Sequence, residues 1–179
     1  HEFGHALACR AVGGKAEHIV LWPLGGVAFV QPPQRPGAML WSIAAGPLVN
    51  VLLFPVLYAL VVQSGATFTL NQLGNQSDIQ TLASITFYMN VMIFIFNMLP
   101  VYPLDGGQIL QSLLWFVVGR AKSLQIATII GLIASVGLAM LALMIQAFML
   151  FIIALFIAWQ SYNGYRASRF LAQQDQFEG

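Results

Sequence analysis

Residues 38–63, AMLWSIAAGPLVNVLLFPVLYALVVQ, contain no charged side chain. A helix crossing a bilayer needs about 20 consecutive apolar residues, so this stretch reads as one span, interrupted at Gly46-Pro47 and at Asn50. Residues 79–98 read as a second span. Between Ser123 and Tyr165 charge is again absent, over a length too great for one crossing, and a break near Gln146 divides it into two. Across all 179 residues, 59% are hydrophobic and 7% charged, which places the chain among polytopic membrane proteins. A net charge of +1 offers no case for nucleic-acid binding. The lone Cys9 excludes an internal disulfide.

The remaining segments fall around these spans. Residues 1–12 read as the end of a helix closed by Gly13-Gly14. Residues 16–31, β-branched and aromatic and broken at Pro23 and Gly25-Gly26, read as two short strands or a hairpin. Residues 32–37 and 64–78 are loops. Pro100 to Gly107, PVYPLDGG, cannot be regular helix, because two prolines remove backbone donors and two glycines loosen the chain. Helix resumes from Gln108 to Val118. The expected fold is an all-α polytopic membrane protein with about five transmembrane helices and a short β-hairpin. Residues 1–170 form the membrane core and residues 171–179 a polar tail. When the chain is threaded through a bilayer in this way, Arg10, Lys15, Arg35, Arg120, Lys122, Arg166 and Arg169 all lie on one side. Basic residues mark the cytoplasmic face.

The chemistry starts at His1-Glu2-Phe3-Gly4-His5. Histidines at i and i+4 share one helix face and can grip one Zn²⁺, with the intervening glutamate placed as general base toward a water activated by the metal. A catalytic zinc usually takes three protein ligands. His18 belongs to the strand region, Asp78 to the opposite side of the membrane, and Asp175 and Glu178 to the tail. Asp105 alone is an acid at membrane depth on broken backbone, where a charge needs a partner. His5 lies roughly 12 Å before the end of its helix, and Asp105 roughly 22 Å before Arg120 if that stretch is helical, at 1.5 Å per residue. Both depths fall in the hydrocarbon zone nearer the cytoplasmic side. Asp105 also suits a helix N-cap at the Pro-Gly break. Cys9 follows His5 on the same face and reads as a packing residue.

The HEFGH pentapeptide, AGPLVN (Ala45 to Asn50) and NMLPVYPLDGG (Asn97 to Gly107) together resemble the site-2 protease family of intramembrane zinc metalloproteases, in their order and spacing. The resemblance covers essentially the whole chain and implies one zinc held by His1, His5 and Asp105, with Glu2 activating water. It implies a six-span layout with HExxH on the second span, so a first span is expected before His1. It also implies the PDZ-free minimal type, since the 64–78 loop is too short for a PDZ domain. Pro23 to Gly26 resembles the family's sheet beside the active site. Gly25 and Gly26 become candidate substrate contacts there, because an extended peptide pairs with such an edge through main-chain hydrogen bonds. Asn97 either steadies an oxyanion or satisfies the broken helix end.

The expected function is therefore zinc-dependent cleavage of transmembrane segments of membrane-anchored substrates, with the lipid bilayer and a transmembrane protein substrate as partners. Two alternatives stand beside it. A metal transporter requires further polar ligands strung along a path, and the spans after Arg120 offer only Gln, Ser, Thr and Asn. A catalytically inactive homologue would bind membrane segments without cutting them, a reading that the intact Glu2 and Asp105 oppose.

Overall fold

A computed structural model describes residues 1–22, 25–66 and 77–177. The elements are α1 (Glu2–Ala11), β1 (Lys15–Trp22), β2 (Gly25–Gln31), α2 (Pro36–Ser64), α3 (Asp78–Asn97), α4 (Asp105–Val118), α5 (Arg120–Met144) and α6 (Phe148–Phe177). Among the described residues, four helices are long and apolar enough to cross a membrane: α2, α3, α5 and α6. The fifth expected span corresponds to α1, whose 10 residues are too few to cross alone. The break expected near Gln146 is present: α5 stops at Met144, Gln146 has φ 54°, and α6 starts at Phe148. Helix α6 runs on to Phe177, through most of the segment expected as the polar tail.

Local sequence explains the helix limits. Pro36 opens α2 at a position where its missing N–H costs nothing, and Gly65 closes it in the left-handed conformation. Ser77 and Gln80 form a capping box at the start of α3. The Gln80 side chain also donates to the Ser64 carbonyl, tying the start of α3 to the end of α2. The break after α3 is held from two sides: Gln108 Nε2 donates to the Pro103 carbonyl at 2.8 Å and Ser161 Oγ to the Tyr102 carbonyl at 2.9 Å. Backbone carbonyls freed at the break are thus satisfied by protein. Gly106 and Gly107 let α4 begin directly against the backbone of Met98 to Tyr102, where any Cβ would collide.

Burial runs opposite to that of a water-soluble domain. The interior holds Ser42, Asn50, Ser84, Asn90, Gln111 and Ser112 together with small residues such as Ala45, Ala127 and Ala154. Leu52, Phe54, Ile79, Leu82, Ile133, Met144 and many other large apolar side chains face outward. Small and polar residues at helix interfaces with bulky apolar ones outside is the arrangement that lipid permits. Several buried hydroxyls return to their own helix, as in Ser112 to Gln108 and Thr128 to Leu124, which keeps those two satisfied, whereas the Ser42 and Ser84 hydroxyls have no partner among the described residues. Helix α2 is the hub, packing against α1, α3 and α4, while α4 leads to α5 and α5 to α6. The antiparallel β1–β2 hairpin lies against α1, with Ala28 opposite Ile19 and an irregularity between Ala16 and His18.

Candidate metal centre

Helix α1 carries His1 at its N-cap and His5 one turn later, so both rings leave the same face. Helix α4 carries Asp105 in its first turn. Because α2 packs against both helices, it brings residues 104 positions apart together. His1 Nε2 lies 2.9 Å and His5 Nε2 3.4 Å from Asp105 Oδ2, and the two Nε2 atoms are 3.2 Å apart. A tetrahedral centre with bonds of about 2.0–2.2 Å spaces its ligand atoms by about 3.3–3.6 Å; the 3.2 and 3.4 Å spacings are close to this and the 2.9 Å one is shorter, so a zinc-sized ion would fit with a small outward shift of Asp105 from His1. Among the described residues, this is the one group of His, Cys, Asp and Glu side chains whose ligand atoms converge.

The hydrogen bonds behind the rings strengthen the fit. His5 Nδ1 lies 2.9 Å from the Ser42 carbonyl, an acceptor only, so Nδ1 carries the proton and donates it. His1 Nδ1 lies 2.6 Å from Asn50 Oδ1 and donates likewise. In the neutral rings both Nε2 lone pairs then face one another and the Asp105 carboxylate. Lone pairs converging at that distance call for a cation between them. A ligating histidine whose other nitrogen donates to a fixed acceptor is how proteins orient imidazoles on metals.

Glu2 sits beside this cluster with its Oε2 accepting the Ala28 backbone N–H at 3.0 Å, which places strand β2 directly against it. Gly25 and Gly26 begin that strand, opposite Trp22 and Leu21. Asn97 is the last residue of α3 and half-buried. Its amide makes no hydrogen bond among the described residues, so it does not satisfy the helix end. His18 is exposed in β1 and stacks on Phe29 with ring centroids 4.4 Å apart, away from the cluster. Cys9 is fully buried, with its thiol 3.4 Å from the Lys15 carbonyl.

Two imidazoles and a carboxylate, on helices packed against the apolar α2, define a class of protein: a membrane protein with a cluster of side chains that could hold a metal ion. The chain matches peptidase M50B-like proteins over residues 1–101 and peptidase family M50 over residues 64–144. The solved structure of a site-2 protease from Methanocaldococcus jannaschii superposes with a TM-score of 0.66 at 28% identity, covering 92% of this chain and 72% of that one. A zinc metalloprotease of the same organism is 32% identical over 88% of this chain and 43% of its own length. A putative zinc metalloprotease of Synechocystis is 30% identical over 73% of this chain and 33% of its own length. The chain thus spans less than half the length of these curated relatives. It belongs to the site-2 protease family, peptidase family M50, and is an integral membrane protein.

Three features of the site go beyond what local sequence suggests. Asn50, which interrupts the first span, reaches the Asn90 carbonyl with its Nδ2, and its Oδ1 is spent on His1. Asn90 gives no signal of its own beyond being an amide in the middle of an apolar span. Gly46 reads as a close-packing glycine, and the group it admits is the His5 ring, whose Nε2 and Cε1 would collide with any Cβ there. Since His5 is held on its other side by Ser42, the ring cannot step back. Gly46→Ala is expected to introduce about 1–3 kcal/mol of overpacking and so weaken zinc binding roughly fivefold to hundredfold. Chelator competition on the purified variant checks this, and wild-type affinity would contradict it.

Proposed function

We propose that this chain is the catalytic core of a zinc-dependent intramembrane endopeptidase. The observation that carries the reading is the convergence of His1 Nε2, His5 Nε2 and Asp105 Oδ2 within 3.4 Å of one another, with Glu2 next to His1 in the chain. His1, His5 and Asp105 would hold one zinc per chain, which when bound supplies an acidified water and a Lewis acid for a peptide carbonyl. Glu2 acts as general base toward that water and then as acid toward the leaving amine. Asn97, whose amide makes no hydrogen bond among the described residues, steadies the oxyanion or the unwound substrate.

The substrate is an unwound transmembrane segment, because helical carbonyls are shielded by their own hydrogen bonds. Strand β2 supports a path for it. Ala28 N–H points away from β1 and toward Glu2. With a side-to-side period of two, Gly26 shares that outward edge. An extended peptide adding to this edge would displace the Ala28 contact and pass over Glu2. All seven basic residues fall on one side of the threaded chain, which supports a site near the cytoplasmic face.

The test is cleavage of a tagged transmembrane substrate by the full-length protein in liposomes. Zinc removal by chelation is expected to stop cleavage and zinc readdition to restore it. Cleavage that persists in fully demetallated protein would overturn the reading.

A further inference from the structure

We infer that Asn90, on a helix that contributes no ligand, is a positioning residue for the metal centre: acting through Asn50, it fixes which nitrogen of His1 faces the metal. The inference rests on the metal reading above and extends it to α3.

The argument is one of donors and acceptors. An asparagine amide can point either way, and only its neighbours decide which end is oxygen. Asn50 Nδ2 faces two acceptors on Asn90, the side-chain Oδ1 at 2.9 Å and the backbone carbonyl at 3.2 Å. Asn90 Nδ2 in turn donates to the Asn50 carbonyl at 3.1 Å, which fixes Asn90's own orientation. With both hydrogens of Asn50 Nδ2 committed to α3, Oδ1 is the end left for His1, 2.6 Å from its Nδ1. An oxygen there requires a proton on Nδ1. In the neutral ring that ligates a metal, the lone pair of His1 then lies on Nε2, the atom that faces His5 and Asp105. Were the Asn50 amide reversed, its NH₂ group would face Nδ1, and the proton would move to Nε2, where it blocks ligation.

His5 needs no such relay, because the acceptor behind it is the Ser42 backbone carbonyl, which cannot turn over. His1 alone depends on a side chain that can flip. Both amides are buried, Asn50 at 4% and Asn90 at 8% exposure, so water does not offer substitute partners freely. The reciprocal pair also joins α2 to α3, and a purely structural role in that joint is the reading to be separated.

The experiment measures zinc affinity by chelator competition, together with metal-free thermal stability, on the full-length protein. Four proteins are compared: wild type, Asn90→Ala, Asn50→Asp, and the double variant. An aspartate at position 50 presents oxygen to His1 whichever way it turns, so it dispenses with Asn90. Asn90→Ala is expected to weaken zinc about tenfold or more, within the range seen when groups behind a ligand are removed. The double variant is expected to recover affinity to that of Asn50→Asp within about threefold while remaining as thermally weakened as Asn90→Ala, since the joint between α2 and α3 is not rebuilt. A double variant as far below Asn50→Asp as Asn90→Ala is below wild type would assign Asn90 to structure alone and overturn the proposal. So would wild-type affinity in Asn90→Ala. If wild type itself binds no zinc, the metal reading fails and this one with it. If wild type binds zinc and the rescue fails, only this one falls.

Discussion

Replacing Asp105 with alanine is expected to empty the metal site without unfolding the protein. The carboxylate is the only acidic ligand of the cluster, set 2.9 and 3.4 Å from the two imidazole nitrogens. Without it, two histidines remain, one short of the three protein ligands that a catalytic zinc usually takes. Zinc measured in the purified full-length variant should fall from about one per chain to background, and proteolysis with it. The helices should persist, because α4 is started by the backbone of Leu104 and by the Gly106-Gly107 contact with the preceding loop, and Asp105 makes no side-chain cap bond there. Asp78→Ala provides the control. Asp78 lies in the first turn of α3 and is absent from the cluster, so that variant should keep its zinc. Full zinc occupancy in Asp105→Ala would remove Asp105 from the site.

Glu2→Gln is expected to do the opposite, keeping zinc and losing chemistry. A glutamine oxygen can still accept the Ala28 N–H that Glu2 Oε2 accepts at 3.0 Å, so the contact between α1 and β2 survives. What is lost is basicity. General acid–base groups contribute about 10²- to 10⁴-fold, and cleavage of a tagged transmembrane substrate should fall by about that factor at unchanged zinc content. Cleavage at the wild-type rate would remove Glu2 from the mechanism. The same pair of variants separates the proposed protease from a metal transporter. A transporter would be crippled by Asp105→Ala but indifferent to the basicity of Glu2, and it would need further ligands along a path. Among the described residues no second converging group exists.

Much of this architecture is legible in the residues themselves, for identifiable reasons. The spans follow from uncharged runs, and their ends from Pro36, Gly65, the Ser77 cap and Gln146, all of which act locally. Asp105 stands out because an acid at membrane depth has few structural excuses. The partners behind the ligands are a different matter. Asn50 meets Asn90 across 40 residues, and His5 meets Ser42 across 37, through the packing of α2 against its neighbours. No periodicity records which carbonyl or amide a ring will find once helices dock. The contact between Glu2 and Ala28 is equally hidden, since it depends on how the hairpin folds back on α1. A signal for the asparagines did exist: amides in the middle of two adjacent apolar spans are expected to bond across the interface.

The central claim is that His1, His5 and Asp105 together hold one zinc ion. Zinc K-edge X-ray absorption on the purified full-length protein tests it most directly. The account requires a four-coordinate shell of light atoms at about 2.0–2.1 Å, with the outer-shell scattering of two imidazoles and a third, carboxylate ligand. A sulfur neighbour at about 2.3 Å, which would bring in Cys9, or the signature of three imidazoles, which would bring in His18, would contradict it.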